Sequence, residues 1–167
     1  EFKYGKIEAR MKLPSSQGLW SSFWMLGSNF PSTPWPASGE IDIIEYINTE
    51  NRVYGTVLWD DNGVDPPASY GCSSSNLISD IDVTQYHVYD VEWSPNYIRW
   101  YVDGTQYCEI NIQNNPNGTE EFQKSFFILL NLAVGGNWPG SPNESTLFPA
   151  KMYVDYVRVY QNPITIS

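Results

Sequence analysis

The sequence predicts an all-β fold in which many short strands form a sandwich or a barrel. Apolar and polar residues alternate in several segments, and turn residues separate these segments at short intervals. No stretch of useful length carries the helical period of about 3.6 residues. The 167 residues are enough for one domain with a sizeable core, and 41% of them are hydrophobic. One domain over residues 1–167 is therefore expected.

The elements follow from this alternation and from the turn residues between the segments. The first segment alternates apolar and charged residues, and the second is aromatic on both faces. Asp103-Gly104 is a strong hairpin signal. Residues 60–80, rich in Gly, Pro and polar side chains, are predicted to form a long loop, and 114–119 a turn. In chain order, the predicted strands are 2–13, 19–26, 38–46, 53–59, 86–93, 97–102, 105–112, 126–134 and 152–160.

The third predicted strand carries three acids in an irregular pattern. Strict alternation would place Glu40 and Asp42 on one face and Glu45 on the other, among the isoleucines. One extra residue at Ile43-Ile44, a β-bulge, would turn both isoleucines to the core and bring Glu45 to the face of the other two acids. The residue count therefore predicts a bulged strand that displays a row of carboxylates.

A row of like charges gives a purely structural strand no advantage. Glycoside hydrolysis, in contrast, needs such a row of carboxylates. A retaining glycosidase uses one carboxylate as the nucleophile and a second as the acid/base, with an intervening acid able to separate their pKa values. The structural alternative is an exposed acidic strand face in an acidic protein.

The stretch Gly39-Glu40-Ile41-Asp42-Ile43-Ile44-Glu45 resembles the active-site signature of glycoside hydrolase family 16, in the bulged form of the laminarinase-type endo-β-1,3-glucanases. The resemblance implies Glu40 as nucleophile, Glu45 as acid/base and Asp42 as the assisting carboxylate. It implies a β-jelly-roll sandwich of two antiparallel sheets with a concave substrate cleft. Further segments that resemble the family in family order are 4–14, 18–20, 23–26, 35–36, 89–93, 102–104, 131–140 and 154–160.

Composition restricts the partners. The net charge of −10 argues against nucleic acid and anionic membrane surfaces, and no apolar run is long enough to span a membrane. A neutral β-glucan remains compatible. Seven Trp and twelve Tyr exceed what a core needs, and flat aromatic rings stack on sugar rings, although an aromatic-rich core is the alternative.

Several side chains are candidates for substrate binding. Trp35 and Trp138 lie in Pro- and Gly-rich loops and match family positions that line the sugar subsites, with packing that anchors the loop as the alternative. For Trp20 and Trp24 the alternative is core packing, for Asn131 a buried structural role and for Arg10 a solvated role. Trp59 is a further candidate, in place of a His that the laminarinase type often carries.

No cofactor is expected for catalysis. The resemblance implies that Asp155 contributes to a structural calcium site, although the other family ligands come from an N-terminal segment not seen in this sequence. Cys72 and Cys108 are compatible with a disulfide or with two free thiols, and the composition favours a secreted, extracellular protein.

The family usually carries several strands before the segment that opens this sequence. Their absence predicts unpaired sheet edges, with a second chain as one source of the missing strands. The expected function is an endo-acting retaining hydrolase of β-1,3-glucan or mixed-linkage β-glucan. The alternatives are a non-catalytic β-glucan-binding module and a transglycosylase of the same fold.

Overall fold

The structure is a computed structural model that describes residues 1–76, 78, 80–113 and 118–161. Within these residues the regular structure is ten β-strands and two short 3-10 helices. The strands are β1 Gly5–Lys12, β2 Leu19–Gly27, β3 Glu40–Ile47, β4 Tyr54–Trp59, β5 Ala68–Ser73, β6 His87–Trp93, β7 Tyr97–Val102, β8 Thr105–Asn111, β9 Phe126–Val134 and β10 Tyr153–Tyr160, and the 3-10 helices are Ser74–Asn76 and Glu120–Gln123.

The strands form two five-stranded antiparallel sheets. One has the order β10-β1-β6-β7-β8 and the other the order β5-β4-β3-β2-β9. The middle strands β3 and β6 contact each other across the interior, as do the edge strands β5 and β8. The predicted all-β sandwich is confirmed, with the two sheets stacked strand over strand.

Nine of the ten strands lie where the alternation predicts them, within a few residues at their ends. The tenth, β5, was missed, because residues 60–80 were expected to form a loop. Ala68–Ser73 is made of small and polar residues and pairs with β4 through its backbone as an edge strand, so it shows no apolar alternation. The predicted turn at 114–119 lies partly outside the described residues.

The core fills the space between the sheets. Alternate residues of each strand point inward, as a period of two requires. Phe23, Met25 and Ile41 from one sheet meet Ile7 and Val91 from the other, all fully buried. Burying an aliphatic or aromatic side chain of this size stabilises the fold by about 1.5–3 kcal/mol. This packing fixes the height of each strand above the opposite sheet.

One side of the sandwich is closed by a disulfide between Cys72 of β5 and Cys108 of β8, whose Cα atoms are 5.7 Å apart. The sequence left the state of these cysteines open, and the structure pairs them. The edge strands β5 and β8 are therefore linked covalently.

The opposite side is open. The edge strands there are β9 and β10. Among the described residues, the outer edge of β10 has no paired strand, and the outer edge of β9 is bridged only at Phe126, by Phe2. Large apolar side chains on these strands are exposed to solvent. These exposed side chains are Leu130 and Val134 on β9, and Tyr153, Val154, Val157, Val159 and Tyr160 on β10. Among the described residues, no helix is long and apolar enough to cross a membrane.

The disulfide gives the first prediction. Replacing both cysteines (Cys72→Ala with Cys108→Ala) should lower the free energy of unfolding by roughly 2–4 kcal/mol, because the bond closes a loop between residues 36 apart and restricts the unfolded chain. Urea unfolding of the variant, with reduced wild-type protein as the control, measures the loss. Equal midpoints for the variant and the oxidised wild type would contradict it.

Candidate active site

Strand β3 contains a one-residue bulge. Against β4, Asp42 pairs with Thr56 and Glu45 pairs with Tyr54, so three steps along β3 match two steps along β4. Glu45 is thereby brought to the face that carries Asp42, despite an odd separation in sequence. The register contains the irregularity that the residue count predicts between Asp42 and Glu45.

The β2 side locates the extra residue. Ile44 pairs with Phe23 and Asp42 pairs with Trp24, which leaves Ile43 without a partner in the β2 register. Ile43 and Ile44 are each 1% exposed. Both isoleucines therefore lie in the core, as expected, while the acids face the other way.

The acids lie at the centre of the sheet face opposite the core, here called the acidic face. The register of the five strands arranges the residues of this face in three parallel rows. From β5 to β9 the rows are Ser69, Leu58, Glu40, Leu26 and Phe127; Gly71, Thr56, Asp42, Trp24 and Leu129; and Ser73, Tyr54, Glu45, Ser22 and Asn131.

Each glutamate accepts a hydrogen bond from an indole. Trp35 Nε1 donates to Glu40 Oε2 at 2.7 Å, and Trp20 Nε1 donates to Glu45 Oε1 at 3.0 Å. A side-chain hydrogen bond also joins Asp42 to Glu40. The orientation of each glutamate is therefore fixed by a neighbour on a different segment.

The loop that carries Trp35 is closed at its base by two glycines. The Gly27 N–H donates to the Gly39 carbonyl at 3.1 Å. A Cβ on Gly27 would overlap the carbonyl oxygen of Ser38, so only glycine permits this approach. The closed base holds the Trp35 indole over Glu40.

The surroundings separate the protonation behaviour of the three acids. Burial raises the pKa of Glu45 to about 7; the bond from Trp20 opposes this shift and the charge of Glu40 adds to it. Burial also raises the pKa of Glu40, but hydrogen bonds from Asp42 and Trp35 lower it. The pKa of Asp42 is raised well above its usual range by burial, by the charges of Glu45 and Glu40 and by its bond to Glu40. Asp42 therefore donates a proton to the bond with Glu40, and Glu45 keeps its proton to higher pH than Glu40.

Aromatic rings flank the acidic face at both ends. The Trp138 ring packs edge-on against Trp20 and Tyr54, with centroids 5.4 and 4.9 Å away. Trp138 is 41% exposed and Trp35 is 43% exposed. Each side chain therefore combines a fixed orientation with a solvent-accessible ring surface.

Two other sequence candidates meet on this face between β2 and the edge strand β9. Trp24 Nε1 donates to Asn131 Oδ1 at 2.7 Å, and both side chains are accessible to solvent. The bond engages the amide oxygen of Asn131 and leaves its amide N–H groups facing the same surface.

Trp59 and Arg10 are not at this site. The alternation of β4 turns Thr56 to the acidic face and Trp59 to the core, where Trp59 is 6% exposed and packs edge-on against Phe122. Arg10 lies on β1 of the other sheet, where it pairs with Asp155 at 2.7 Å and stacks on Tyr86. The structure therefore places neither Trp59 nor Arg10 on the acidic face, and substrate contact by these two residues stays a prediction.

Asp155 does not by itself form a metal site. Its described partner is Arg10, a cation, and no group of three or more His, Cys, Asp or Glu side chains within the described residues is placed to hold a metal ion. The described residues around Asp155 do not complete a calcium site, and the expectation that Asp155 contributes to one stays a prediction.

Several residues of the acidic face were not identified from the sequence. Tyr54 pairs with Glu45 and donates its hydroxyl hydrogen to Glu50 Oε2 at 2.5 Å. Ser22 pairs with Glu45 from the other side. The alternation along each strand indicates the face on which Tyr54 and Ser22 lie, but their neighbours depend on the register between strands.

Residues 1–158 match the family Glycosyl hydrolases family 16. The chain belongs to this family. It is 47% identical over 167 residues to the clotting factor G alpha subunit of Tachypleus tridentatus, covering 99% of this chain and 24% of that protein. It is 39% identical over 177 residues to the glucan endo-1,3-beta-glucosidase A1 of Niallia circulans, covering 95% of this chain and 24% of that protein.

Solved structures agree with this assignment to family 16. The laminarinase catalytic domain of Thermotoga maritima superposes with a TM-score of 0.82 at 38% identity, covering 97% of this chain and 65% of that one. This family 16 chain thus spans about a quarter of the length of the two relatives and 65% of the laminarinase domain.

The raised pKa of Glu45 gives a prediction for stability. Since the folded protein holds this proton up to about pH 7 and the unfolded chain releases it near the ordinary value of 4.5, the folded state binds more protons between these limits. The free energy of unfolding should fall as pH rises through this window, and Glu45→Gln should remove roughly 1–3 kcal/mol of the fall. Urea unfolding at several pH values tests this, and identical slopes for variant and wild type would contradict it.

Proposed function

We propose that this chain is the catalytic part of an endo-acting retaining β-glucanase, with β-1,3-glucan as the preferred substrate and mixed-linkage β-glucan as a second. The observation that carries the proposal is the arrangement of Glu40, Asp42 and Glu45 on one face, with a separate indole donor on each glutamate. A purely structural acidic strand would not need three partly dehydrated carboxyl groups.

The relatives support the choice of substrate. The Niallia circulans protein is named a glucan endo-1,3-beta-glucosidase, and the Thermotoga maritima domain a laminarinase. The neutral polymer also suits a chain whose net charge is −10 and whose site presents aromatic rings.

In the first step, ionised Glu40 attacks the anomeric carbon while Glu45 gives its proton to the departing glycosidic oxygen. The carbon–oxygen bond to the leaving sugar breaks as the ester bond to Glu40 forms. Burial raises the pKa of Glu40, and the hydrogen bonds from Asp42 and Trp35 limit this rise. Burial raises the pKa of Glu45 to about 7, so Glu45 keeps its proton as the pH approaches neutrality.

In the second step, Glu45 acts as a base. It takes a proton from water, the water oxygen attacks the anomeric carbon, and Glu40 leaves as a carboxylate. The two inversions give net retention of configuration, and both glutamates return to their starting protonation states.

Asp42 assists by holding Glu40. Its protonated carboxyl donates to Glu40, which orients the nucleophile and limits the negative charge beside Glu45. Buried between the two glutamates, Asp42 is shielded from bulk water.

Trp35, Trp138, Trp20, Trp24 and Asn131 are proposed to bind the sugar chain. The rings offer apolar faces for stacking on pyranose rings, and Asn131 offers amide donors for hydroxyl groups. Trp20 and Trp35 would then have two roles, since each also donates to a catalytic glutamate.

A β-glucan-binding role without turnover is the second candidate. The 47% identical relative is named as a clotting factor subunit and not as a hydrolase, which favours keeping this candidate. Incubation with laminarin separates the two functions, because a binding module would retain the polymer and release no reducing ends.

We also propose that the protein acts outside the cell and that further strands, from a second chain or a longer one, pair with β9 and β10. The exposed apolar side chains of these edges support such pairing. The intact mass of the native assembly, one chain or two, tests the second-chain prediction.

The role of Glu40 gives the third prediction. Glu40→Ala should lose hydrolysis while keeping affinity for laminari-oligosaccharides, because the aromatic contacts remain. With an activated aryl glycoside, azide should restore turnover and form the α-glycosyl azide, the inverted product. Glu45→Ala is the matched control, since azide should there attack the glycosyl-enzyme and give the β-azide. Proton NMR of the products distinguishes them, and hydrolysis of laminarin by Glu40→Ala would remove Glu40 from the mechanism.

The fourth prediction concerns Trp138. Trp138→Ala should weaken oligosaccharide binding by about 1–3 kcal/mol, because a large aromatic contact is lost from the site. Isothermal titration calorimetry with an inactive Glu40→Gln background measures this change. Trp59→Ala, which removes a core ring, should lower the melting temperature instead. Unchanged affinity in Trp138→Ala would show that its ring only packs against Trp20 and Tyr54.

A further inference from the structure

One side chain of the opposite sheet, that of Trp100, crosses the core and contacts the backbone of β3. Trp100 of β7 is fully buried, and its Nε1 donates to the backbone carbonyl of Asp42 at 2.7 Å. In a regular strand the carbonyl groups point within the sheet toward the neighbouring strands. The bulge begins directly after Asp42, where the ladder is disrupted and a carbonyl can be reached from outside the sheet.

We propose that Trp100 is a positioning residue that holds the bulge of β3 and thereby sets the place of the Asp42 carboxyl beside Glu40. The catalytic consequence rests on the proposed function, whereas the positioning itself does not. Trp100 contacts neither the acidic face nor a sugar bound there, because it lies on the core side of the strand.

Gly55 provides the space for this contact. It lies on β4 between Thr56 and Tyr54, the two residues that pair with Asp42 and Glu45, so it is opposite the bulge. A Cβ on Gly55 would lie 2.6 Å from Trp100 Nε1 and nearer still to the ring carbon Cδ1. The backbone of Gly55 is not in the left-handed region, so the requirement is for space and not for an unusual conformation.

The disulfide lies beside the contact between Trp100 and Gly55. Cys72 is the β5 partner of Gly55, and Cys108 is the β8 partner of Trp100. The covalent bond between Cys72 and Cys108 therefore joins the two residues next to the Trp100–Gly55 contact. Both sheets are held together one strand away from the point where the indole meets the bulge.

This arrangement controls the bond between Asp42 and Glu40. If the carbonyl of Asp42 loses its donor, the peptide can rotate and withdraw the carboxyl from Glu40. The other titratable groups near these acids are Glu45 on β3, Tyr54 on β4 and, from the opposite sheet, Tyr107, whose hydroxyl lies against Gly55. Because the Asp42 bond lowers the pKa of Glu40, its loss should move the Glu40 titration to higher pH.

The test is Trp100→Phe, which keeps a buried ring and removes the donor. Trp93→Phe is the matched control, because Trp93 is also buried in the opposite sheet and its Nε1 donates to a backbone carbonyl, that of Phe122, at 3.0 Å. Both proteins are measured for kcat and KM on laminari-oligosaccharides and for the titration of Glu40 by carboxyl ¹³C NMR. Near-UV circular dichroism verifies that each is folded.

We expect kcat of Trp100→Phe to fall roughly 10-fold to 100-fold, the scale of a small displacement of a catalytic group, with KM changed less than about threefold. The Glu40 midpoint should rise in Trp100→Phe and stay unchanged in Trp93→Phe. Gly55→Ala, which keeps every donor and displaces the indole, should give the same result as Trp100→Phe.

Equal kcat values and equal Glu40 midpoints in folded Trp100→Phe and Trp93→Phe would overturn the positioning role. If Trp100→Phe does not fold, Gly55→Ala takes its place, and wild-type values in that variant would have the same meaning. If the wild-type protein does not hydrolyse laminarin, the proposed function fails, and the Glu40 titration still decides whether Trp100 positions Asp42.

Discussion

The one-residue bulge in β3 is the constraint on which the site depends. Without it, Glu45 would point into the core and Ile44 would face solvent. Burying a lone carboxyl group costs several kcal/mol, whereas burying an isoleucine contributes about 1.5–3 kcal/mol, so the packing strongly favours the bulged register. The local loss of ladder bonds is partly compensated by the indole of Trp100, which donates to the carbonyl of Asp42. One extra residue thus places both isoleucines in the core and the three acids together.

This feature was predictable because it creates a conflict in the sequence itself. Strict alternation along β3 would turn Glu45 to the core and Ile44 to the surface, so the strand cannot be regular. Counting residues along this one strand locates the irregularity without knowledge of the other strands. The strands with clear alternation were predictable for the same reason. The three acids were identified from one segment, since their grouping depends only on that segment.

Features that depend on the relation between strands were not predictable. The polar face of β1 was recognised, but nothing local indicates that this strand lies in the sheet away from the acids, so Arg10 was counted among the candidates for substrate binding. Trp59 was considered in place of a His that the laminarinase type often carries, although the alternation along β4 turns Trp59 to the core. Strand β5 consists of small and polar residues without apolar alternation, and its place in the sheet follows from backbone pairing with β4. Tyr54 and Ser22 reach Glu45 only through the register.

The two sides of the sandwich differ in how firmly they hold the sheets together, because one side is cross-linked by the disulfide and the other is not. Separation of the sheets is restrained at β5 and β8, where the chain is cross-linked. It is least restrained at β9 and β10, which have a neighbouring strand on one side only, apart from the bridge between Phe2 and Phe126 at one end of β9. Local opening therefore begins at the free margin, among the most exposed contacts. An opening that releases β9 separates Asn131 from Trp24 first, while β3, in the middle of its sheet, keeps both neighbouring strands unless β2 also leaves. The outer part of the acidic face can thus be disordered transiently while Glu40, Asp42 and Glu45 stay in register.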